Sequence, residues 1–395
     1  MMKVLVTTYK TASDRIALAA VRGLAKAGCE VWIGTDDSAM PTCSSRFVKG
    51  VLPVRSPIET PDEHVDDVRA LVARHKFATV MPSDDYAVYA LSKSLEQDKW
   101  EVPLPVPALD AQMSALSKVE TTLRAQRLSI LTPKSRAVST ASELDAALEQ
   151  LRPPWVIKLA RGGGSVGMEI TDDPNLIRNM FSDRPSHSDT VYDFQKFIVQ
   201  EFIKGKTHDA WVLMQNGRAV CGLAGRRHLT WPFQGGGGVI VETIARPDYF
   251  DDAVRLLEDL KWHGPADVEF IVSEEDGRAY FIEINGRLWG NSALAIHAGV
   301  NFPALACAMA VDDNVEPDFA FPEKIRMRWP FPNGFLCIAN GPNKLSLAWN
   351  IFRPSFRHGS DVWLTDPIPA WRQARAGLAK LRGRPDAPSF DPRSR

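Results

Sequence analysis

The sequence predicts a mixed α/β and α+β protein, in which a parallel α/β domain precedes a region built mainly of strands. Strand-like and helix-like segments alternate over residues 1–110, which is the pattern of a parallel sheet flanked by helices. Strand-like segments then dominate from Trp155 to Asn285. The chain has 395 residues, of which 45% are hydrophobic and 24% are charged. It can therefore bury several cores, and it has the composition of a globular protein.

The first domain is predicted from short strands and a well-defined helix. The β-rich runs Val4–Thr7 and Glu30–Gly34 flank the segment Asp14–Lys26, whose apolar residues recur at helical spacing. Thr79–Met81 is a later strand of the same kind. The proline-rich passage Val102–Pro107 is typical of a boundary, so the domain is expected to end shortly after it.

Charge and cysteine content exclude several classes of protein. The formal net charge of -1 argues against a surface that coats nucleic acid. The five cysteines form no CxxC pair, which indicates a reducing compartment without structural zinc. Ser292–Val311 lacks Asp, Glu, Lys and Arg, but Asn301 and Pro303 interrupt it, so two buried helices are expected instead of a membrane span. The apolar run at the start is too short for a signal peptide, and a cytoplasmic protein is expected.

A lysine followed by a glycine-rich loop, in the stretch Val156–Ile170 (VIKLARGGGSVGMEI), is typical of phosphate binding. The residue order does not fit a P-loop, a dinucleotide fingerprint or a protein kinase loop. The flanking apolar runs predict a β-hairpin with Lys158 on its first strand, although a flexible surface hairpin with an exposed lysine also fits. Six turn residues are expected to cover phosphate groups: Gly162, Gly163, Gly164, Ser165, Val166 and Gly167.

A second hairpin, within Ala266–Gly290, carries acidic residues on one face. Its predicted turn places Glu269 opposite Glu283, with Asn285 two residues further on the same face. Facing carboxylates repel each other, and Mg²⁺ bound to nucleotide phosphates would offset that repulsion. A register slip that leaves both glutamates solvated, or an ion pair with Arg287, is the alternative. The other face is predicted to lie on the core through Val268, Phe270, Val272, Tyr280, Ile282 and Ile284.

The two hairpins and their neighbouring segments resemble the ATP-grasp superfamily, and the resemblance covers essentially residues 1–312. Four motifs occur in the order found in that superfamily. Leu116–Pro133 (LSKVETTLRAQRLSILTP) resembles the segment that carries its first ATP-binding lysine, and the glycine hairpin carries the second. Phe197–Gly205 (FIVQEFIKG) is similar to the segment beside the adenine, and Phe281–Leu305 is similar to the magnesium strand and the helix beyond it.

The resemblance implies roles for the nucleotide-binding positions. Lys118 and Lys158 would hold the α- and β-phosphates of ATP. Glu201 would contact the adenine amino group, while the backbone of Phe202 and Ile203 would frame the ring. These roles follow from the order of the motifs and not from the spacing of the residues.

The resemblance also implies how the reacting groups are held. Glu269, Glu283 and Asn285 would bind one or two Mg²⁺ ions, with Mn²⁺ as a substitute. Arg287 would stabilise the transferring phosphoryl group or an acyl phosphate. In the strand that resembles the border of the substrate cleft, either Arg226 or Arg227 would clamp a carboxylate or the γ-phosphate, unless they are only surface charges.

The sequence departs from the superfamily pattern at the ribose contact. An acidic residue is expected a few positions after Glu201, but Lys206, Thr207, His208 and Asp209 occupy that region. We assign the contact to Asp209, with His208 as the alternative.

The implied fold is a Rossmann-like pre-ATP-grasp domain followed by a two-lobed ATP-grasp fold. We divide the chain into the first domain, a small lobe with the glycine hairpin, a large lobe with the magnesium site and an accessory C-terminal segment. Their predicted bounds are 1–110, 111–196, 197–312 and 313–395.

The implied activity is that of a carboxylate–amine ligase of the carbamoyl-phosphate-synthase-like type. ATP would convert a carboxylate into an acyl phosphate with release of ADP, and an amine would then displace phosphate. The alternatives are a kinase or carboligase with another acceptor and a non-catalytic nucleotide-binding regulator. The expected partners are small-molecule carboxylate and amine substrates, without nucleic acid, and a homodimer is allowed.

Two features outside these motifs have alternative interpretations. Asp84 and Asp85 follow a predicted strand and either cap the next helix or face a cleft. The tail after Trp371 is rich in Arg and Lys and fits a solvated helix, or a basic amphipathic helix at a membrane surface or a partner.

Overall fold

A computed structural model describes most of the chain. The described residues are 1–9, 14–97, 100–163, 166–233, 235–312, 315–353 and 358–381. Gly164 and Ser165, expected in the phosphate-covering turn, lie outside them.

The first part of the chain forms a parallel sheet flanked by helices. Its elements are β1 Lys3–Thr7, α1 Asp14–Lys26, β2 Glu30–Thr35, a 3-10 helix Pro41–Ser44, β3 Val48–Pro53, α2 Pro61–His75, β4 Thr79–Pro82 and α3 Asp85–Gln97. The strands are parallel in the order β3-β2-β1-β4. The carboxyl ends of β1 and β4 therefore meet where the strand order reverses, which is where open α/β sheets place ligands.

Two helices connect this sheet to the rest of the chain, α4 Leu109–Leu116 and α5 Lys118–Arg127. The sequence from Met113 to Leu128 predicts a single helix, so the observed break is a difference from that prediction. The backbone at Ser117 is extended (φ -92°, ψ 105°), and its side chain accepts a hydrogen bond from the Glu120 amide as an N-cap. The break places Lys118 in the first turn of α5.

A small antiparallel sheet follows, with its own core. Its elements are β5 Ser135–Val138, α6 Ala141–Gln150, β6 Trp155–Arg161, β7 Glu169–Thr171, α7 Pro174–Ser182 and β8 Asp193–Glu201. The strand order is β5-β8-β6-β7. Helices α6 and α7 bury apolar residues such as Leu144 and Ile177 against Ile157 and Phe197 of the sheet.

A seven-stranded sheet forms the rest of the described structure, in the order β13-β12-β9-β10-β11-β14-β15. Its elements are β9 Gly205–Gln215, β10 Arg218–Trp231, β11 Gly237–Ile244, α8 Tyr249–Asp259, β12 Gly264–Ser273, β13 Ala279–Asn285, α9 Ser292–His297, α10 Phe302–Asp312, β14 Arg326–Arg328, a π-helical turn Pro330–Gly334, α11 Phe335–Asn340, α12 Lys344–Phe352, β15 His358–Ser360 and α13 Pro367–Leu381.

The two faces of the large sheet belong to different cores. On one face Phe250 and Leu256 of α8 pack with Val212 and Phe270. On the other face α1, α9 and α10 share a core with Trp211 and with β1. The N-terminal sheet is thereby joined to the large sheet by common apolar packing, which positions the carboxyl ends of β1 and β4 beside it.

Two of the predicted domain bounds differ from the observed elements. Strand β8 continues to Glu201, so the boundary expected at residue 197 falls inside the small sheet. Strands β14 and β15 join the large sheet, so residues after 312 are partly integral to it. Each of these strands has only three residues, which is too short to show periodicity in a sequence.

The expectation of two helices in the uncharged segment is confirmed. The uncharged segment forms the two buried helices α9 and α10 on either side of Gly299. All five cysteines are free thiols. Among the described helices, none is long and apolar enough to cross a membrane.

Candidate active site

A cavity of about 510 Å³ lies between the small and the large sheet, a size typical of small-molecule sites. Strands of both sheets line it. The predicted site residues that line it are Lys118, Lys158, Gly162, Gly163, Val166, Glu201, Phe202, Ile203, Arg227, Glu269 and Glu283.

The glycine hairpin lies on the small-sheet side of the cavity. Val156 of β6 pairs antiparallel with Ile170 of β7, as the sequence predicted. Gly162 has a φ of +145°, and a Cβ there would lie 2.7 Å from the Tyr192 ring; Gly167 has a φ of +64°. Side chains at these two positions would be strained, so the turn requires glycine and lets a phosphate group approach the backbone closely.

Two lysines connect this hairpin with the acidic one. Lys118 Nζ donates a hydrogen bond to the Gly162 carbonyl and lies 3.2 Å from Glu283 Oε2. Lys158 is only 7% exposed. Burial lowers the pKa of Lys158 to about 8; the charge of Glu283 opposes this shift and that of Lys118 adds to it. Two ammonium groups in one buried site are suited to binding an anion of high charge density, such as a polyphosphate.

The acidic hairpin pairs its two glutamates as predicted, although the strands closer to the turn are offset by one residue. Glu269 of β12 lies directly opposite Glu283 of β13, and Asn285 lies opposite Asp267. Asn285 Nδ2 donates to Glu269 Oε1 at 3.0 Å. Burial raises the pKa of Glu283, but Lys118 and Lys158 more than offset this effect, so its net shift is downward.

A β-bulge after Glu269 changes which residues face the core. It pairs Phe270 with Phe281, and Phe281 is buried at 1% exposure. Ile282 instead lines the cavity, and Tyr280 is only half-buried near the turn. The expectation that Tyr280 and Ile282 lie on the core face was wrong, because an inserted residue shifts the alternation of a strand.

Two further buried carboxylates lie behind Glu269. Carboxylate oxygens of Asp209, Asp267 and Glu269 all come within 4.8 Å of one another. Asp267 is 2% exposed, and its Oδ1 atom has no hydrogen-bond partner within the described part of the chain. Asp267 was not among the predicted site residues, although strand alternation places it on the same face as Glu269, two residues earlier.

The placement of Asp209 contradicts the ribose contact expected of it. Its side chain is 0% exposed, and both of its oxygens accept hydrogen bonds from Arg227. The alternative, His208, bonds Tyr249 Oη at 2.7 Å and does not line the cavity. The superfamily pattern had suggested these two positions, but the cavity wall in this region is formed by Lys206 and Thr207.

Adjacent arginines of β10 have different surroundings. Arg227 lines the cavity and lies 2.6 Å from Glu269 as well as beside Asp209. Arg226 is not among the cavity residues, and its Nη2 donates to Glu242 at 2.7 Å. Successive strand residues face opposite sides of a sheet, so only Arg227 keeps the role predicted for this pair.

Arg287 connects the site with the first domain. Its Nε donates to Asp85 Oδ2 at 2.9 Å, and both side chains are largely buried. A Cβ built on Gly163 would lie 4.0 Å from the same Asp85 oxygen, so the glycine turn ends near this pair. Asp84 instead caps α3 by accepting from the Ala87 amide. Asp84 is thus the helix cap, whereas Asp85 pairs with Arg287, and neither Asp85 nor Arg287 is among the residues that line the cavity.

The far end of the cavity is apolar. Val156, Ile170 and Ile271 line it together with the half-exposed Phe202, which suits a planar base. The Glu201 carboxylate at this end accepts hydrogen bonds from the Arg152 amide at 3.2 Å and from its guanidinium at 3.3 Å.

The donor set fits a divalent cation bound with a polyphosphate. Glu269 and Glu283 both line the cavity, and carboxylate oxygens are the ligands that Mg²⁺ prefers. Among the described residues the Asp267 Oδ1 atom has no hydrogen-bond donor, so an oxygen acceptor remains unfilled beside Glu269. Asp209 and Asp267 do not line the cavity, so Glu269 and Glu283 are the better candidates for direct ligands.

Comparisons with known proteins agree with this geometry. The family model described as "Carbamoyl-phosphate synthase L chain, ATP binding domain" matches residues 117–315. The chain is 25% identical over 198 residues to urea amidolyase of Lachancea kluyveri and 26% identical over 159 residues to pyruvate carboxylase 1 of Caenorhabditis elegans. These matches cover 48% and 38% of this chain but only 11% and 13% of those proteins.

Solved structures share the fold over most of the chain. The biotin carboxylase domain of Hydrogenobacter thermophilus 2-oxoglutarate carboxylase, a dimer in complex with MgADP, ADP and bicarbonate, matches with a TM-score of 0.66, at 14% identity, over 82% of this chain and 73% of that one. L-amino acid ligase from Bacillus licheniformis matches with a TM-score of 0.59, at 18% identity, over 80% of this chain and 78% of that one.

Proposed function

Because the chain belongs to the family of the carbamoyl-phosphate synthase L chain ATP-binding domain, and hence to the ATP-grasp enzymes, we propose that it is an ATP-dependent ligase that joins a carboxylate to an amine. The observation that carries this proposal is the cross-strand pair Glu269–Glu283 in the same cavity as Lys118 and Lys158. A phosphate-binding hairpin and a carboxylate pair face each other across a space large enough for a nucleotide.

The nucleotide would lie along the cavity with its base at the apolar end. Phe202 and Ile203 would flank the base, and Glu201 would contact its amino group. Lys118 and Lys158 would neutralise phosphate oxygens beneath the glycine turn. Lys206 and Thr207, which line the adjoining wall, are the candidates for the ribose contact in place of Asp209.

Glu269 and Glu283, with Asn285 beside them, would hold Mg²⁺, with Mn²⁺ as a substitute. Bound there, the ion would supply charge neutralisation for the phosphates of ATP. The role of the protein is to fix the two carboxylates: Asn285 and Arg227 hold Glu269, and Lys118 holds Glu283.

The chemistry proposed is phosphoryl transfer followed by acyl transfer. A carboxylate oxygen of the substrate attacks the γ-phosphorus of ATP, and the bond to the β,γ-bridging oxygen breaks to release ADP. The amine nitrogen then attacks the acyl carbon, phosphate leaves, and the nitrogen loses a proton. Arg287, whose Nε donates to Asp85, would bind the transferring phosphoryl group, and Arg227 beside Glu269 would add positive charge.

A second candidate is a carboligase that activates bicarbonate in the same way. The curated relatives are a urea amidolyase and pyruvate carboxylases, and one fold neighbour contains bicarbonate. The identities are 26% or lower, and the matches cover small parts of those relatives. The relatives therefore support bicarbonate as the substrate less directly than the cavity supports ATP binding.

The test uses hydroxylamine in place of the amine. The protein is incubated with Mg-ATP, hydroxylamine and a set of cellular carboxylic acids, and hydroxamates are identified by mass spectrometry. A hydroxamate formed with ADP would support the ligase and identify its acid. ATP hydrolysis that depends on bicarbonate, without any hydroxamate, would favour the carboligase. Formation of AMP and pyrophosphate would contradict both.

A further inference from the structure

The C-terminal part of the chain differs sharply in charge from the rest. The whole sequence has 47 Lys and Arg against 48 Asp and Glu, but from Lys324 to Arg395 there are 13 against 4. No Asp or Glu occurs between Glu323 and Asp361. This asymmetry is not used by the proposed ATP chemistry.

The acidic side chains in the described part of this segment are buried. Asp361 lies 2.6 Å from Arg15 Nε, and Asp366 lies 2.9 Å from Arg22 Nε. All four side chains are less than 9% exposed. In the described part of the segment, the exposed charges are therefore positive.

Exposed apolar residues form a row on α12. Leu345, Trp349 and Phe352 are 86%, 65% and 46% exposed. Their spacing of four and then three residues places them on one side of the helix. Ile351, on another side, is 2% exposed, so α12 is anchored to the protein and still presents an apolar row to solvent.

Helix α13 has a similar row that includes basic residues. Ile368, Trp371 and Leu378 are 52%, 59% and 43% exposed, and their spacing keeps them on one side of the helix. Arg375 lies on the same side, with its guanidinium 4.8 Å from the Trp371 ring. The exposed Arg372 lies at the edge of this row and donates to the Ala39 carbonyl at 3.5 Å. Just before the helix, Leu364 is 93% exposed.

The two helices are held beside the same turn. The Phe352 ring of α12 lies 5.8 Å from that of Phe331, and a Cβ built on Gly377 of α13 would lie 2.9 Å from Pro332. The other side of α13 is fixed to the first domain, where Gln373 donates to Asp14 at 3.0 Å. The two rows belong to rigidly attached helices and form what we call the C-terminal surface.

We propose that the C-terminal surface binds the surface of an anionic phospholipid bilayer. Tryptophan together with Leu, Ile and Phe is suited to the boundary between headgroups and acyl chains, and Lys and Arg are attracted by anionic lipids. A second copy fits less well, because it would place like charges against each other. Nucleic acid explains the basic residues, but it offers no partner for the exposed Leu and Ile side chains.

The test is co-sedimentation of the full chain with vesicles. Binding to vesicles of phosphatidylcholine mixed with phosphatidylglycerol is expected, together with weak binding to phosphatidylcholine alone and a decrease as salt is raised. The double variants R372E/R375E and W349S/W371S should each lower partitioning at least about tenfold. Matched controls outside the surface, Arg74→Glu on α2 and Leu95→Ser on α3, should bind like the wild type.

Circular dichroism and thermal melting of each variant check that it is folded. Absence of binding to anionic vesicles, or binding that the two double variants leave unchanged, would overturn the proposal. Tighter binding to DNA or RNA than to anionic vesicles, compared at the same concentration of negative charge, would also overturn it. So would a dimer in solution that the same substitutions dissociate. Because these measurements do not involve ATP, they are independent of the proposed ligase activity.

Discussion

Glu269 and Glu283 lie directly opposite each other on adjacent antiparallel strands, and each is held by a different cation. Arg227 lies 2.6 Å from Glu269, and Lys118 lies 3.2 Å from Glu283. Two carboxylates facing each other in a sheet are destabilising without such compensation. The two carboxylates therefore form a site that binds positive charge. This leads to the first prediction.

Replacing Glu283 with alanine is expected to abolish Mg²⁺-dependent turnover, with a loss of at least about a hundredfold. The fold should remain, because Glu283 lines the cavity and is not part of the apolar core. Steady-state ADP release measures the effect, and thermal melting checks the fold. Glu274→Ala, at an exposed position on the same hairpin, is the control. Full activity of Glu283→Ala would show that the metal assignment is wrong.

Nucleotide affinity should depend on pH through Lys158. Burial lowers the pKa of Lys158 to about 8, and only the charged ammonium group attracts phosphate. As pH rises through about 8, the protonated fraction falls, so the Kd for Mg-ADP should rise about tenfold per pH unit above that value.

Lys158→Arg should remove this dependence, because the guanidinium stays protonated. Titration calorimetry between about pH 7 and pH 9.5 measures both proteins, and the exposed Lys196→Arg on β8 is the control. A Kd for Mg-ADP that does not change with pH in the wild type would contradict the assignment of Lys158 to phosphate binding.

The adjacent arginines of β10 should behave differently. Arg227→Met removes a cation beside Glu269 and Asp209 and is expected to lower kcat at least about a hundredfold. Arg226→Met removes a partner of Glu242 outside the cavity, and Glu242 keeps Arg326, so kcat should stay within about twofold of the wild type. Equal losses of kcat in both variants would contradict the conclusion that Arg226 and Arg227 lie on opposite faces of β10.

Asp85 is expected to act as a positioning residue for Arg287. Asp85→Asn leaves a weaker, uncharged partner for the Arg287 Nε, so kcat should fall about tenfold while the KM for ATP changes little. Arg287→Met should lower kcat further, by about a hundredfold or more. A loss in Asp85→Asn that appeared only in thermal stability, with kcat unchanged, would show that the pair is merely structural.

The C-terminal segment should contribute strongly to stability through Asp361. Asp361→Ala leaves Arg15 buried without its carboxylate, so the free energy of unfolding should fall by about 3–5 kcal/mol. Asp62→Ala, which breaks the exposed pair with Lys93, should cost less than about 1 kcal/mol. Urea denaturation measures both, and similar values would contradict the integral role of this segment.

The sequence was sufficient for the parts of the site that depend on local patterns. The pairing of Glu269 with Glu283 was predicted from a turn centred on Asp276, but the strands beside the turn are offset by one residue and the bulge restores this pairing. The glycine hairpin followed from the apolar runs around it. The bounds of α1 followed from helical spacing. These features are set by interactions between residues close in sequence.

Features that depend on distant contacts could not be predicted. The bulge after Glu269 moved Ile282 into the cavity, and the burial of Asp209 depends on Arg227, which follows it by 18 residues. The pairing of Asp85 with Arg287 spans 202 residues. No local pattern specifies such pairs: Asp209 and Arg227 meet across two adjacent strands of the large sheet, and Asp85 and Arg287 meet only when the first domain packs against the rest of the chain.

The most direct test of the central claim is transfer of ¹⁸O from the carboxylate substrate. The acid identified by hydroxamate formation is labelled with ¹⁸O in both carboxylate oxygens and turned over with Mg-ATP and its amine. An acyl phosphate predicts one ¹⁸O atom in the inorganic phosphate released with ADP. Appearance of ¹⁸O in AMP, or inorganic phosphate without label, would contradict the proposed mechanism.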